Sequence, residues 1–423
     1  TGKYSTPVTL TVTIKTFTTV DSSLTHKGTL SVDTTWYPKN NPHIVEGLYN
    51  VNAKLTILPG VIVKFKTGAS MRFGYYSGYA PALIAEGTSK DSIIFTSNES
   101  MPAPGSWGGI RFESYTSDAN TSLRYCSIRY AQNAVFVISS QPSIVNCAIT
   151  MSRGTAIICE SGGFTKFDSN TISGNKGIPI QLPAEAVGSI VSTNKLHPND
   201  TNKVRVGTSS SQVIASTTRW NAHGIPYQLM GNIAIRDASG PVLTIAPGCT
   251  LQFASTYGLT VGYSYPGALV AHGTIDSPIV FSGFNPTPGF WQGISIEQYN
   301  NANVSSFRHC IVEYSKNAIL INYSQISVMN SLFRQNSSSA IYVNTSAGLK
   351  NFDSNTIADN RSYPIRLHAN VISQLGSSNI FTGNDSSKIL VGTSLSTHYV
   401  NTGGQWRNFG IPYRFDSDIR IDE

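Results

Sequence analysis

Two nested periods predict an all-β fold for this chain: a right-handed parallel β-helix, or solenoid, made of two tandem duplicated modules. The long period is carried by segments that return at an offset of 184 to 188 residues. Leu55–Gly60 returns as Leu243–Gly248, Trp107–Ile110 as Trp291–Ile294, and Phe167–Ile172 as Phe352–Ile357. Ala85–Thr88 matches Ala271–Thr274, and Gly224–Tyr227 matches Gly410–Tyr413. The short period is the spacing of 21 to 23 residues between Cys126-Ser127-Ile128, Cys147-Ala148-Ile149 and Asn170-Thr171-Ile172. The second copy repeats it at Val312, Phe333 and Ile357. These runs are short, β-branched and bounded by Gly, Asn, Ser and Pro, which marks strands. No segment sustains an apolar stripe at helical spacing. One such coil cannot bury its own inward side chains, but a stack of coils can.

The elements follow in order. In residues 1–23, Val8–Ile14 alternates apolar and polar residues. This segment is expected to be an N-terminal capping strand or the end of a preceding domain. Residues 24–216 form the first module and 217–423 the second. The second ends with the start of a third repeat or a C-terminal cap, because Trp406–Tyr413 mirrors Trp220–Tyr227. Asn146, Asn170, Asn330 and Asn355 sit at the repeat points and are expected to stack as a side-chain ladder at a turn.

Composition excludes several functions. Charged residues are 13 percent of the 423, and the net charge of +7 is thinly spread. No Lys/Arg stripe could track a phosphate backbone, so no nucleic-acid partner is expected. No apolar run is long enough to span a membrane. The chain starts at Thr1 without a signal peptide, as expected of a mature or trimmed product, and a monomer is expected. Five cysteines exclude a disulfide-dense scaffold. Cys126 and Cys147 are one coil apart in one frame, which leaves both a bridge and buried free thiols open. Sequons at Asn98, Asn120, Asn199, Asn303, Asn322, Asn336, Asn344, Asn360 and Asn384 fit a surface protein.

The second module reads Trp220, Pro226-Tyr227, Leu243–Gly248, Phe253, Ala271–Thr274, Pro278–Phe281, Pro288–Ile294 and His309–Tyr314. This pattern, over nearly all of residues 24–415, resembles the right-handed parallel β-helix modules of bacterial and archaeal cell-surface proteins, within the pectin-lyase-like superfold. That framework occurs on adhesins, anchored surface proteins and carbohydrate-active enzymes. A narrower resemblance is to the tāpirins, cell-surface proteins of plant-biomass-degrading bacteria that attach to cellulose. It implies an extracellular location and a polysaccharide partner.

A lyase or hydrolase on this fold needs a base with a charge-neutralising group, or two carboxylates across one bond. Asp168 and Asp353 recur in identical context, which favours a turn role. Glu113 and Glu297 also match and are the best paired acids. No zinc spacing or nucleophile elbow occurs, so no catalytic residue and no cofactor are assigned. Isolated turn calcium at Asn199-Asp200 or Asn384-Asp385 stays open. Tyr75, Tyr76 and Tyr79 stand in a Gly/Ser-rich insertion, and Tyr263 and Tyr265 occupy the matching loop. Flat aromatic faces stack on sugar rings without charge, so these five are the carbohydrate-binding candidates. The alternative is that they pack a loop onto the rod. Trp107, Trp220, Trp291 and Trp406 are expected to be structural. The reading that follows is a non-catalytic polysaccharide-binding adhesin, with a β-helix lyase or hydrolase and a structural stalk as alternatives.

Overall fold

A computed structural model describes residues 19–20, 24–208, 211–345, 348–393, 397–400 and 403–421. Val8–Ile14 and most of the expected N-terminal cap lie outside the described residues. The chain winds as a right-handed parallel β-solenoid of about 16 turns, and among the described residues helix is limited to short 3-10 turns. Every strand pairing among the described residues is parallel, as it must be when each strand stacks on the equivalent strand of the turn before.

One sheet of 15 strands runs from Thr29–Leu30 to Ile380–Thr382. Its inward column is Met71, Ile110, Val135, Ile157, Ile180, Val204, Tyr227, Leu251, Phe281, Val312, Phe333 and Ile357, paired in register. All twelve are buried. Each such side chain contributes about 1.5–3 kcal/mol of burial, and none could be covered within a single turn. Trp107 stacks on Phe65 at 3.9 Å and Trp291 on Phe253 at 4.3 Å. Their indole N–H groups donate to the carbonyls of Arg129 and Glu313, so both tryptophans are core residues.

The sheets do not repeat as the sequence does. Two seven-stranded sheets accompany the long sheet at first, then a nine-stranded and a six-stranded sheet replace them. Ile93–Ser97 lies in a seven-stranded sheet, but its sequence match Ile279–Gly283 lies in the long sheet. Gly109–Phe112 lies in the long sheet, but its match Gly293–Ile296 lies in the nine-stranded one. The change begins at the 3-10 turn Ala184–Ser189. Gln212 and Ala215, at the first strand of the nine-stranded sheet, hydrogen-bond to Ala184 and Glu185 of that turn. Ile190 and Lys195 keep single bridges to the two older sheets, which then stop.

The asparagine ladder exists, but one residue out of step with the expectation at two of its four points. Asn170 and Asn355 are fully buried and linked rung to rung. Asn146 and Asn330 instead take the left-handed bend just before the ladder position, with φ of 54° and 51°. Asn tolerates that conformation better than most residues. The ladder runs Cys126, Cys147, Asn170, Asn194 in the first half and Cys310, Ser331, Asn355, Asn379 in the second. Each backbone N–H donates to the side-chain acceptor one rung on, so Cys147 and Ser331 substitute for one another as acceptors. All five cysteines are buried free thiols, and Cys126 and Cys147 are not bridged. Burial pushes the Cys159, Cys249 and Cys310 thiols up to about 12.

Candidate functional site

The outer face of the nine-stranded sheet carries a groove of about 550 Å³. Inward Ile235, Val261, Ile296 and Ile321 anchor its strands in the core. Strand alternation then sends Ala234, Thr260, Ser295, Leu320, Tyr342 and Arg366 outward in one paired column. Arg236, Tyr263, Gln292, Glu297, Lys316 and Asn317 stand around the groove.

A hydrogen-bonded chain runs along this face. The Ser295 hydroxyl donates to Glu297, and Asn322 donates to the same carboxylate oxygen at 3.1 Å. Asn344 donates to Asn322 at 3.3 Å, and the Tyr342 hydroxyl donates to Asn344 at 2.8 Å. The Arg366 guanidinium lies 4.8 Å over the Tyr342 ring and donates to the carbonyls of Gly392 and Thr393. Glu297 is the one acid among the groove residues, and its Oε1 accepts from two neighbours.

The tyrosines lie on the corner after this strand. Tyr263 lines the groove and is 57% exposed, with Arg236 5.9 Å from its ring. Tyr265 is exposed on the same loop, outside the groove lining. Tyr75, Tyr76 and Tyr79 are exposed in the first half. Tyr75 and Tyr76 meet edge to face at 85°, and Arg72 lies 3.7 Å over Tyr75. That pair therefore offers no flat two-ring platform. Sequence reasoning missed Tyr115, Tyr299 and Tyr323, all exposed on the same corners. The Tyr299 amide donates to Gly262 beside Tyr263, and the Tyr115 amide donates to Gly74 beside Tyr75. The usable signal was a tyrosine two residues after each matched Glu, at Tyr115 and Tyr299.

The acids do not converge. Glu113 follows a strand of the long sheet and Glu297 one of the nine-stranded sheet, about seven rungs further on. At strand spacing this is roughly 35 Å, far beyond the ~5–9.5 Å that paired glycosidase carboxylates need. Asp168 is held below its usual range by hydrogen bonds from Thr193 and Ser169, and Asp353 accepts the Ser378 amide. Both serve turns. His272 meets Ser306 at 2.8 Å, its pKa lowered first by burial and then by Arg308. At the matching place Glu86 meets Ser122 at 2.8 Å, so a tied pair across the rungs is common to both halves.

At the turn calcium candidates both asparagines are taken up by the fold itself. Asn199 and Asn384 point inward as the last rungs of a second ladder, Ser152, Asn175, Asn199 in the first half and Ser315, Asn336, Asn360, Asn384 in the second, their carboxamide oxygens accepting from Asn175 and Asn360. Asp200 pairs with Lys176 at 3.4 Å. Among the described residues no group of three or more His, Cys, Asp or Glu is placed to hold a metal ion, and no helix is long and apolar enough to cross a membrane.

A family model described as a right handed beta helix region matches residues 108–237, from the Trp-Gly-Gly-Ile strand to the start of the nine-stranded sheet. The match and the coiling agree, so the molecule is a right-handed parallel β-helix. No curated protein and no solved structure matches the chain.

Proposed function

We propose that the protein is a non-catalytic, cell-surface adhesin that holds a polysaccharide strand along the outer face of the nine-stranded sheet. The groove at Tyr263 carries this reading. It joins an exposed aromatic ring to a row of hydroxyl and amide groups, and it holds a single acid where a glycosidase needs two. Hydroxyls and carboxamides both donate and accept, which suits sugar hydroxyls, and the ring faces suit their C–H surfaces. Tyr299 and Tyr323, the latter 71% exposed, extend the aromatic edge along the rod. Cellulose is the first ligand to test, since its chain is neutral and extended.

Purified protein should be depleted from solution by microcrystalline cellulose or xylan without release of reducing sugar. Tyr263→Ala and Tyr299→Ala are each expected to weaken binding by about three- to tenfold. Released reducing ends or an unsaturated product would overturn the non-catalytic reading. No depletion by any glycan, neutral or acidic, would favour a structural stalk.

A further inference from the structure

The two halves keep the same acid but surround it with different chemistry. Trp107–Glu113 matches Trp291–Glu297, with Arg111 where the second half has Ser295. Arg72 pairs with Arg111 across the long sheet as Thr260 pairs with Ser295 across the nine-stranded sheet. Two guanidinium groups thus occupy the places of two hydroxyls.

Arg72 and Arg111 rise from adjacent rungs about 4.8 Å apart, where like charges repel. Glu113 offsets one of them, accepting from Arg111 Nε at 3.2 Å. Among the described residues no carboxylate pairs with Arg72, whose Nε donates to Asn50 at 2.9 Å. Each guanidinium is also held against an aromatic face, Arg72 at 3.7 Å from Tyr75 and Arg111 at 4.3 Å from Phe136. Both are therefore fixed through Nε and a ring. Their η nitrogens carry no hydrogen bond among the described residues. A planar fork of donors held in place is the usual recogniser of a carboxylate or sulfate.

We propose that Arg72 and Arg111 form an oxyanion site on the long sheet, flanked by Tyr75 and Phe136, which takes the carboxylate or sulfate group of an acidic glycan. The first half then reads acidic sugars while the second reads neutral ones. The glycan part rests on the polysaccharide reading above; the oxyanion site does not.

The test uses the full chain and the variants Arg72→Thr and Arg111→Ser, residues that the matching rungs already accept. Probes are inorganic sulfate, polygalacturonate, its methyl ester, and xylan. Binding is read by titration, with arginine side-chain NMR shifts marking the site. Polygalacturonate should bind at least about tenfold more tightly than its ester, weaken with salt, and lose about tenfold in either variant, with xylan unaffected. Sulfate shifting Arg72 and Arg111 without any glycan binding would keep the site as one for a free oxyanion and sink the polysaccharide reading. Xylan binding, with neither sulfate nor polygalacturonate sensitive to the variants, would sink the oxyanion site and leave the polysaccharide reading standing.

Discussion

Asn360 shows what one side chain does in this rod. Fully buried, it donates to the carbonyls of Phe333 and Ala358 and to Asn384. It also accepts the backbone and side-chain N–H of Asn336. Asn360→Ala leaves several of these groups without partners, each costing about 1–3 kcal/mol. Urea unfolding should show a loss of about 3 kcal/mol or more; a loss under about 1 kcal/mol would mean the ladder does not carry that load. Cys147 gives a finer test, because it accepts the Cys126 amide at 3.4 Å where the second half uses Ser331. Cys147→Ser should cost less than about 1 kcal/mol, and Cys147→Val about 1–3 kcal/mol more, since it strands a buried N–H. Asn170 and Asn355 were legible in the sequence as ladder residues, but Asn146 and Asn330 could not be told from them, since they sit one residue earlier on the left-handed bend. The sequon pattern at Asn336 and Asn360 belongs to inward, buried residues, so it records ladder chemistry rather than glycan acceptors.

At the scale of elements, the repeated Trp-x-Gly-Ile motif was legible because its glycine is irreplaceable. Gly109 has φ of 113° and a Cβ there would lie 1.8 Å from the Asn133 carbonyl; Gly293 meets Asn317 in the same way. The groove was harder to read, since its column alternates through Ala234, Thr260, Ser295 and Leu320 with no shared residue type. Only the register brings them together. The last turns also carry a pH dependence. Burial, and then the neighbouring His398, push the His368 imidazole down to about 4. The unfolded chain takes its proton near 6.5, so it binds more protons than the folded state between those values. Stability of this region is therefore full above about 6.5 and falls as pH drops toward about 4. Hydrogen-exchange protection factors at Ile365–Leu367, corrected for the intrinsic pH dependence of exchange, should fall over that window in the native chain and change less in His368→Asn, whose oxygen can still accept the Asn370 amide. Equal acid sensitivity in both proteins would remove His368 as the cause.

For the whole molecule, the 21 to 23 residue rhythm made the solenoid legible, yet it could not show which sheet each strand joins. That depends on a path around the axis that Ala184–Ser189 redirects. The consequence is a single narrow crossing. At Val204–Val206 only the long sheet continues, pairing with Ile180–Leu182 below and Tyr227–Leu229 above. In a solenoid, stability is close to a sum of rung terms and neighbour interfaces, so the weakest interface sets where cooperativity breaks. Val204 and Val206 are both fully buried there. Replacing both with Ala should remove about 2–4 kcal/mol from that interface alone. Calorimetry of the double variant is then expected to resolve two transitions, one for each side of the crossing, with the second near the position it holds in the native protein. A single transition moved down as a whole would instead mean that the core column couples the two sides despite the loss of two sheets.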